Sequence, residues 1–229
     1  MITTSIIIPF ETDNGPRDKA FHWLKTYYKN VIANAEICIG TSQSKPFSKS
    51  KAINNAAQKA KGSIFVLIDA DIICHPVLIS KSIHLLKKHT WIIPYSRVKN
   101  ITTGSTTKLL NTKPVWPLQT TVKTEKMHEE KKLPVGGINI MPKECFRKVR
   151  GFDERFAGWG GEDDAFACSV DTLCGPHHRL DTSIYHLWHP KSIVQKSLHY
   201  KRNVQLAYKY CEAYGNKRTM QQIIQSRNK

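Results

Sequence analysis

Apolar positions along this chain follow two alternating rhythms. Short runs of β-branched and other apolar residues, Ser5-Ile6-Ile7-Ile8-Pro9 and Ile64-Phe65-Val66-Leu67-Ile68, have the length and composition of buried strands. Between such runs, apolar residues recur near helical spacing, as at Phe21, Leu24, Tyr28 and Ile32, and again at Ile79, Ile83 and Leu86. The pattern predicts strands over residues 5–9, 36–40, 63–69 and 91–95 and helices over 17–31, 48–61 and 75–89. Ser48 or Ser50 suits the cap of the second helix, Gly62 its stop, and Pro76 the first turn of the third. Strands alternating with helices argue for an α/β domain with a mostly parallel central sheet.

The rhythm breaks over residues 99–133, which are rich in Thr and Lys and contain Pro114 and Pro117. A stretch of that length without periodicity reads as a mobile or functional loop. Regular pattern then resumes: a strand over 136–141, a short helix over 142–149 ending at Gly151, a helix over 162–173, a strand over 184–188 and an amphipathic C-terminal helix over 197–213. No internal repeat and no linker divides the chain, so one domain is expected.

Charge narrows the class of partner. The 229 residues carry a formal charge of +17 with a pI near 9.7, which favours contact with polyanions: nucleic acid, anionic lipid or a phosphorylated glycan. The stretch 191–229 is the most basic, with Lys191, Lys196, Lys201, Arg202, Lys209, Lys217, Arg218, Arg227 and Lys229 set against Glu212. The longest apolar runs are far too short to span a bilayer, and the first residues lack the pattern of a signal peptide, so a cytoplasmic location is expected. Six cysteines without a CxxC pair read as reduced, mostly buried thiols. Cys174-Gly175-Pro176-His177-His178 is a weak candidate for a metal site.

Three clusters carry candidate chemistry. Asp69 and Asp71 close the most hydrophobic strand, where open α/β sheets bind ligands, and two hard oxygen donors there suit Mg²⁺ or Mn²⁺. His186 and His189 flank Trp188 after an apolar strand, a setting suited to a metal ligand. In Gly158-Trp159-Gly160-Gly161-Glu162-Asp163-Asp164, three carboxylates follow a bare glycine loop at a predicted helix start, where the helix dipole tolerates anions.

Six ordered motifs then resemble a family. They are Lys49-Ser-Lys-Ala-Ile-Asn-Asn-Ala-Ala57 after the first strand, Leu67-Ile-Asp-Ala-Asp71, Gly136-Gly-Ile-Asn139, Gly151-Phe-Asp-Glu154, Trp159-Gly-Gly-Glu-Asp163 and His186-Leu-Trp-His189. Over residues 4–190 the chain resembles nucleotide-sugar glycosyltransferases of the GT-A, Rossmann-like fold. It is similar to family 2, with a galactosyltransferase-type C-terminal motif. The resemblance implies a nucleotide-binding half over about 1–95, the mobile loop 99–133, an acceptor and catalytic half over 134–190, and a basic helical tail over 191–229. It implies that Pro9, Phe10 and Glu11 hold base and ribose of a UDP-sugar or similar donor. Lys51 and Asn55, or its neighbour Asn54, would face that donor. Asp69 would contact ribose or sugar, and Asp71 would bind Mn²⁺ or Mg²⁺ with His186 or His189. Gly136 and Gly137 would leave room for the sugar, and Trp159 would approach it. Of the two carboxylates, Asp163 is implied as general base and Glu162 as binder of sugar hydroxyls.

The reaction so implied is displacement at the anomeric carbon, expected to invert it, although the Trp-Gly-Gly-Glu-Asp motif also resembles that of retaining enzymes. Loop 99–133, with Trp116, would close over the donor and exclude water. The basic charge makes a polyanionic acceptor attractive, either a modified DNA base or a phosphate-rich glycan, with a plain saccharide as a further choice. An anionic surface is a further contact to expect. Two rivals are weaker. A nucleotidyltransferase would want a better glycine-rich loop than Glu11-Thr-Asp-Asn-Gly-Pro16, and a catalytically dead polyanion-binding module would have no use for Asp71, Asp163 and His186.

Overall fold

A computed structural model describes residues 3–125, 133–190 and 198–228. The chain runs β1 (Thr4–Pro9), α1 (Pro16–Val31), β2 (Ala35–Gly40), α2 (Lys49–Lys59), β3 (Ile64–Ile68), β4 (Ile72–Ile73), α3 (Pro76–Leu85), β5 (Trp91–Ile93) and β6 (Arg97–Asn100). It continues through α4 (Thr103–Leu110), β7 (Ile138–Pro142), α5 (Lys143–Lys148), α6 (Glu162–Leu173), β8 (His177–Arg179), β9 (Ser183–His186), α7 (Leu198–Glu212) and α8 (Lys217–Gln225), ending in a 3₁₀ turn at Ser226–Asn228.

The main sheet has six strands in the order β2-β1-β3-β7-β5-β8. The pairs β1–β2, β1–β3 and β5–β8 are parallel, whereas β7 runs antiparallel to both β3 and β5. Ile6, Ile7, Val66, Ile92, Ile138 and Ile140 are completely or almost completely buried, as strands covered on both faces require. One buried cluster joins these strands to Phe21, Leu24 and Tyr28 of α1 and to Phe166 and Val170 of α6.

A second, three-stranded sheet, β4-β9-β6, stands at the end of β3. Its first strand has only two residues, and α1 secures it: Tyr28 Oη donates to the Ile72 carbonyl (2.7 Å) and Tyr27 Oη to that of Cys74 (3.0 Å). This small sheet sets Asp71 against the histidines, because Ile72 pairs with His186 in antiparallel register.

Several expectations change. The segment read as structureless contains the end of β6 and all of α4, which Thr102 caps by accepting the Ser105 amide hydrogen. Its buried face is Ser105, Thr106 and Leu109, too polar to show as helical periodicity. Residues 126–132 of that loop lie outside the described residues. Trp116 packs on His75 (ring centroids 4.3 Å). Gly62 does not stop α2, which ends in an extended Ala60. A side chain at Gly62 would instead strike the backbone of Thr4 and Ser5, so the glycine permits close packing. α8 is a second helix within the expected helical tail. Asn216 caps it, and Met220 and Ile224 bury its inner face. All six cysteines are free, and only Cys74 is fully buried.

Candidate active site

Asp71, His186 and His189 converge beyond the end of β3. Their ligand atoms all lie within 4.8 Å of one another, and among the described residues they are the group suited to a metal ion. Asp71 Oδ2 is 3.6 Å from His186 Nε2 and 3.3 Å from His189 Nε2. The backbone fixes this approach, since the Leu187 amide donates to the Asp71 carbonyl (2.8 Å). His186 Nδ1 faces Asn100 Oδ1 (3.1 Å), and His189 Nδ1 faces the Pro190 carbonyl (2.9 Å). These acceptors can hold the Nδ1 protons, as outer-shell partners of ligating histidines commonly do, so that each Nε2 becomes available as a ligand once its own proton is lost. Burial pushes the Asp71 carboxyl up, but the histidine hydrogen bonds and charges more than reverse this and hold it well below the usual range. The sequence left one histidine to be chosen; the structure brings both to Asp71. The Cys174–His178 stretch is used otherwise: His177 pairs with Asp171 (3.1 Å), and His178 stacks on His89.

Beside this triad, Lys49 joins two carboxylates. Its Nζ is 2.8 Å from Asp69 Oδ1 and 2.9 Å from Asp163 Oδ2. Burial alone would lower the ammonium, but Asp163 and then Asp69 outweigh it and keep Lys49 charged. Burial, reinforced by Asp163 and Asp71, raises Asp69 to about 6 against the opposing pull of Lys49. Sequence reasoning did not single out Lys49. The available signal was position: Ser48 is the cap of α2, so the next residue points toward the sheet ends.

Gly136 lies directly against Asp163. A methyl there would collide with the Asp163 carboxylate, so its missing side chain makes room for Asp163. The Asp69 amide donates to the neighbouring Gly137 carbonyl (2.9 Å), which joins the two motifs directly. Gly161 is needed at the start of α6 for two reasons. Its φ is +86°, and a side chain would press into Ala207 of α7. The glycine loop thus lets α7 close on α6.

Glu162 is almost fully buried and accepts the Gly160 amide hydrogen (3.0 Å). Burial first, and the Asp163 charge second, raise its carboxyl to about 7. Glu162 and Asp163 form one end of a cleft of about 570 Å³, whose walls include Tyr95, Trp159, Tyr200 and Tyr208. Trp159 is 53% exposed and stacks on Tyr200 at 5.8 Å and 13°.

The other expected donor residues divide. Ile7 pairs with Leu67, so Pro9 and Asp69 leave the sheet at one level. Phe10 stacks on Phe21 (3.8 Å), and Glu11 follows half-buried. Asn54 ties α2 to the Phe152 backbone and to Glu154, a structural task. Asn55 donates to the Thr41 carbonyl (2.8 Å). Arg17, which the sequence did not single out, lies beside the His189 ring, its Nη2 3.2 Å from Nδ1.

Residues 12–150, more than half of the chain, match the profile of glycosyl transferase family 2. The chain belongs to that family. Residues 118–190 also match the profile described as the N-terminal domain of galactosyltransferase. Solved structures share the GT-A fold of this glycosyltransferase. The catalytic domain of Drosophila β1,4-galactosyltransferase 7, in complex with xylobiose, aligns with a TM-score of 0.56 and 16% identity, over 90% of this chain and 80% of that one. Glucosyl-3-phosphoglycerate synthase from Mycobacterium tuberculosis, with Mn²⁺, UDP-glucose and phosphoglyceric acid, aligns at 0.55 and 11% identity, over 92% and 80%. A mutant of the Drosophila enzyme with manganese, UDP-galactose and xylobiose aligns at 0.52 and 15% identity, over 87% and 79%. No curated protein matches the sequence.

Proposed function

We propose that this glycosyltransferase moves a sugar from a nucleoside-diphosphate sugar, a UDP-sugar first among them, to a hydroxyl of an anionic glycan acceptor. The observation that carries the reading is the meeting of Asp71, His186 and His189 beside the Lys49-Asp69-Asp163 cluster, at the carboxyl ends of β1 and β3. Structures of the same fold hold Mn²⁺ and UDP-sugars.

The donor set of one carboxylate and two imidazoles fits Mn²⁺ and admits Mg²⁺. When bound, such an ion neutralises the departing diphosphate as a Lewis acid. Arg17, next to His189, adds a cation on the same side. Pro9, Phe10 and Glu11 border the nucleoside, and Asp69 accepts from ribose or sugar hydroxyls. Lys49 holds Asp69 and Asp163 apart and offsets their charge. Asp163 takes the proton of the attacking acceptor hydroxyl, and the anomeric configuration inverts. Glu162, beside it, binds sugar hydroxyls. Trp159 offers an exposed ring for the flat face of a sugar.

The test is release of nucleoside diphosphate from a panel of UDP-sugars, with and without chelator, for wild type, Asp71→Asn and Asp163→Asn. Asp71→Asn should lose metal-dependent release while keeping its melting behaviour. Asp163→Asn should lose about 10²–10⁴ in rate with donor binding retained, since a base acts in the transition state. Undiminished release in chelator, or full activity of Asp71→Asn, defeats the metal assignment. If Glu162→Gln shows the kinetic loss and Asp163→Asn does not, the two carboxylates exchange roles.

A further inference from the structure

The described surface exposes seven large apolar side chains, and four of them, Leu198, Val204, Tyr208 and Tyr214, lie on α7 or the turn that ends it. Such clustering is unlike the scattered exposure of a plain soluble surface. α7 seats its other face on the protein through Asn203, Ala207 and Tyr210. The face turned outward repeats at helical spacing: Leu198, Arg202, Gln205 and Lys209, with Lys201 and Tyr208 alongside, all exposed. Glu212 is the sole acidic residue of this helix.

Cations interleaved with Leu and Tyr suit the boundary between lipid headgroups and acyl chains. Long basic side chains reach phosphates while apolar ones enter below them, and Tyr favours the headgroup level. The whole chain, at +17, adds attraction to an anionic leaflet. A nucleic-acid backbone would use the cations but gain nothing from Leu198. The same helix forms a wall of the active-site cleft: Tyr200, Val204 and Tyr208 line it, following one another at four-residue spacing.

We propose that the outer face of α7 docks on an anionic phospholipid surface and so sets the mouth of the cleft at the level of the headgroups. It follows, resting on the transferase reading, that the acceptor is presented from the membrane.

Vesicle co-sedimentation tests the docking without donor or acceptor. The probes are vesicles of phosphatidylcholine alone and of phosphatidylcholine mixed with phosphatidylglycerol, with duplex DNA as a parallel ligand. Wild type should sediment with the mixed vesicles and stay in solution with the neutral ones. Replacing Lys201, Arg202 and Lys209 together by Gln should weaken vesicle binding about a hundred-fold, at roughly five-fold for each cation lost. Leu198→Asn keeps the charge and should still lose about ten-fold, the loss of one inserted apolar side chain. These positions are exposed, and thermal melts confirm that each variant is folded. Equal vesicle binding by the triple variant and wild type overturns the proposal, as does binding indifferent to Leu198→Asn. It also falls if DNA binding depends on the three cations while vesicles of either composition leave the protein in solution. Nucleoside-diphosphate release measured on the same preparations reports separately on the transferase reading.

Discussion

At the scale of single residues, the candidate site is a set of charges that neutralise one another at short range. Burial moves Glu162 clearly away from solution behaviour. Its folded pKa near 7 lies above its ordinary value, so the native state binds more protons than the unfolded chain between about pH 4.5 and pH 7. Stability from this group is therefore present at low pH and lost as pH rises through 7. Glu162→Gln should raise the melting temperature at pH 8, by the equivalent of about 3 kcal/mol at most, and leave it unchanged near pH 4.5. Thermal melts of both proteins across that range check the sign; a variant less stable at pH 8 contradicts it. Lys49 acts in the opposite sense. Its side chain is 15% exposed, and removal leaves Asp69 and Asp163 facing each other without a cation. Lys49→Met should cost roughly 3–5 kcal/mol, as does breaking a buried pair from one side. Denaturant unfolding at pH 7.5 measures it, and part of the loss should return at low pH as Asp69 protonates.

Individual elements place these residues. The small β4 strand would have little reason to form on its own, and the α1 tyrosines hold it where Asp71 meets β9. Burial raises both phenols, so they remain hydrogen donors throughout the working pH range. The C-terminal elements depend on a comparable clasp. Arg227, in the last 3₁₀ turn, donates to Tyr210 Oη (2.9 Å) and to the carbonyls of Val149 (2.9 Å) and Gly151 (3.0 Å). Tyr210 in turn donates to the buried Asp153 (2.7 Å), which Arg155 also holds. This connects α7 and the chain end to the loop leading into the glycine motif. Arg227→Ala should cost about 2–3 kcal/mol, since several charge-assisted bonds are lost at a nearly buried site. A urea titration should show a lower midpoint with an unchanged slope. An unaltered midpoint would mean the tail contributes nothing to the fold.

For the whole molecule, the dominant property is its charge. No helix among the described residues is long and apolar enough to cross a membrane. Association with an anionic acceptor should then depend on counterion release, and a small donor held by shaped contacts should depend on it much less. Raising salt from about 50 to 200 mM should increase acceptor KM about ten-fold or more and change donor KM little. A neutral sugar that serves equally well at both salt concentrations would remove the anionic acceptor from the reading.

The periodicity of the chain determined the alternation of strand and helix through Leu85, the helix carrying Glu162 and Asp163, and the strand that ends at Asp69. Each of these has a continuous apolar face, and local sequence is enough to specify it. Elements with small or polar inner faces were not legible: α4 buries Ser105 and Thr106, and β4 is two residues long. The reversal of β7 between β3 and β5 was hidden too, because a buried strand has the same composition in either direction. At the site, the ordered motifs marked Asp71, His186 and Asp163 as chemically important. Only the tertiary structure decided that both histidines meet Asp71 and that Lys49 joins the two carboxylates. It alone showed that Gly136 is bare for the sake of Asp163. Those relations depend on strand register and on contacts between residues from different elements, from Lys49 and Asp69 at a separation of 20 to Lys49 and Asp163 at a separation of 114. Spacing along the chain cannot encode them, because the packing of the two sheets sets the distances.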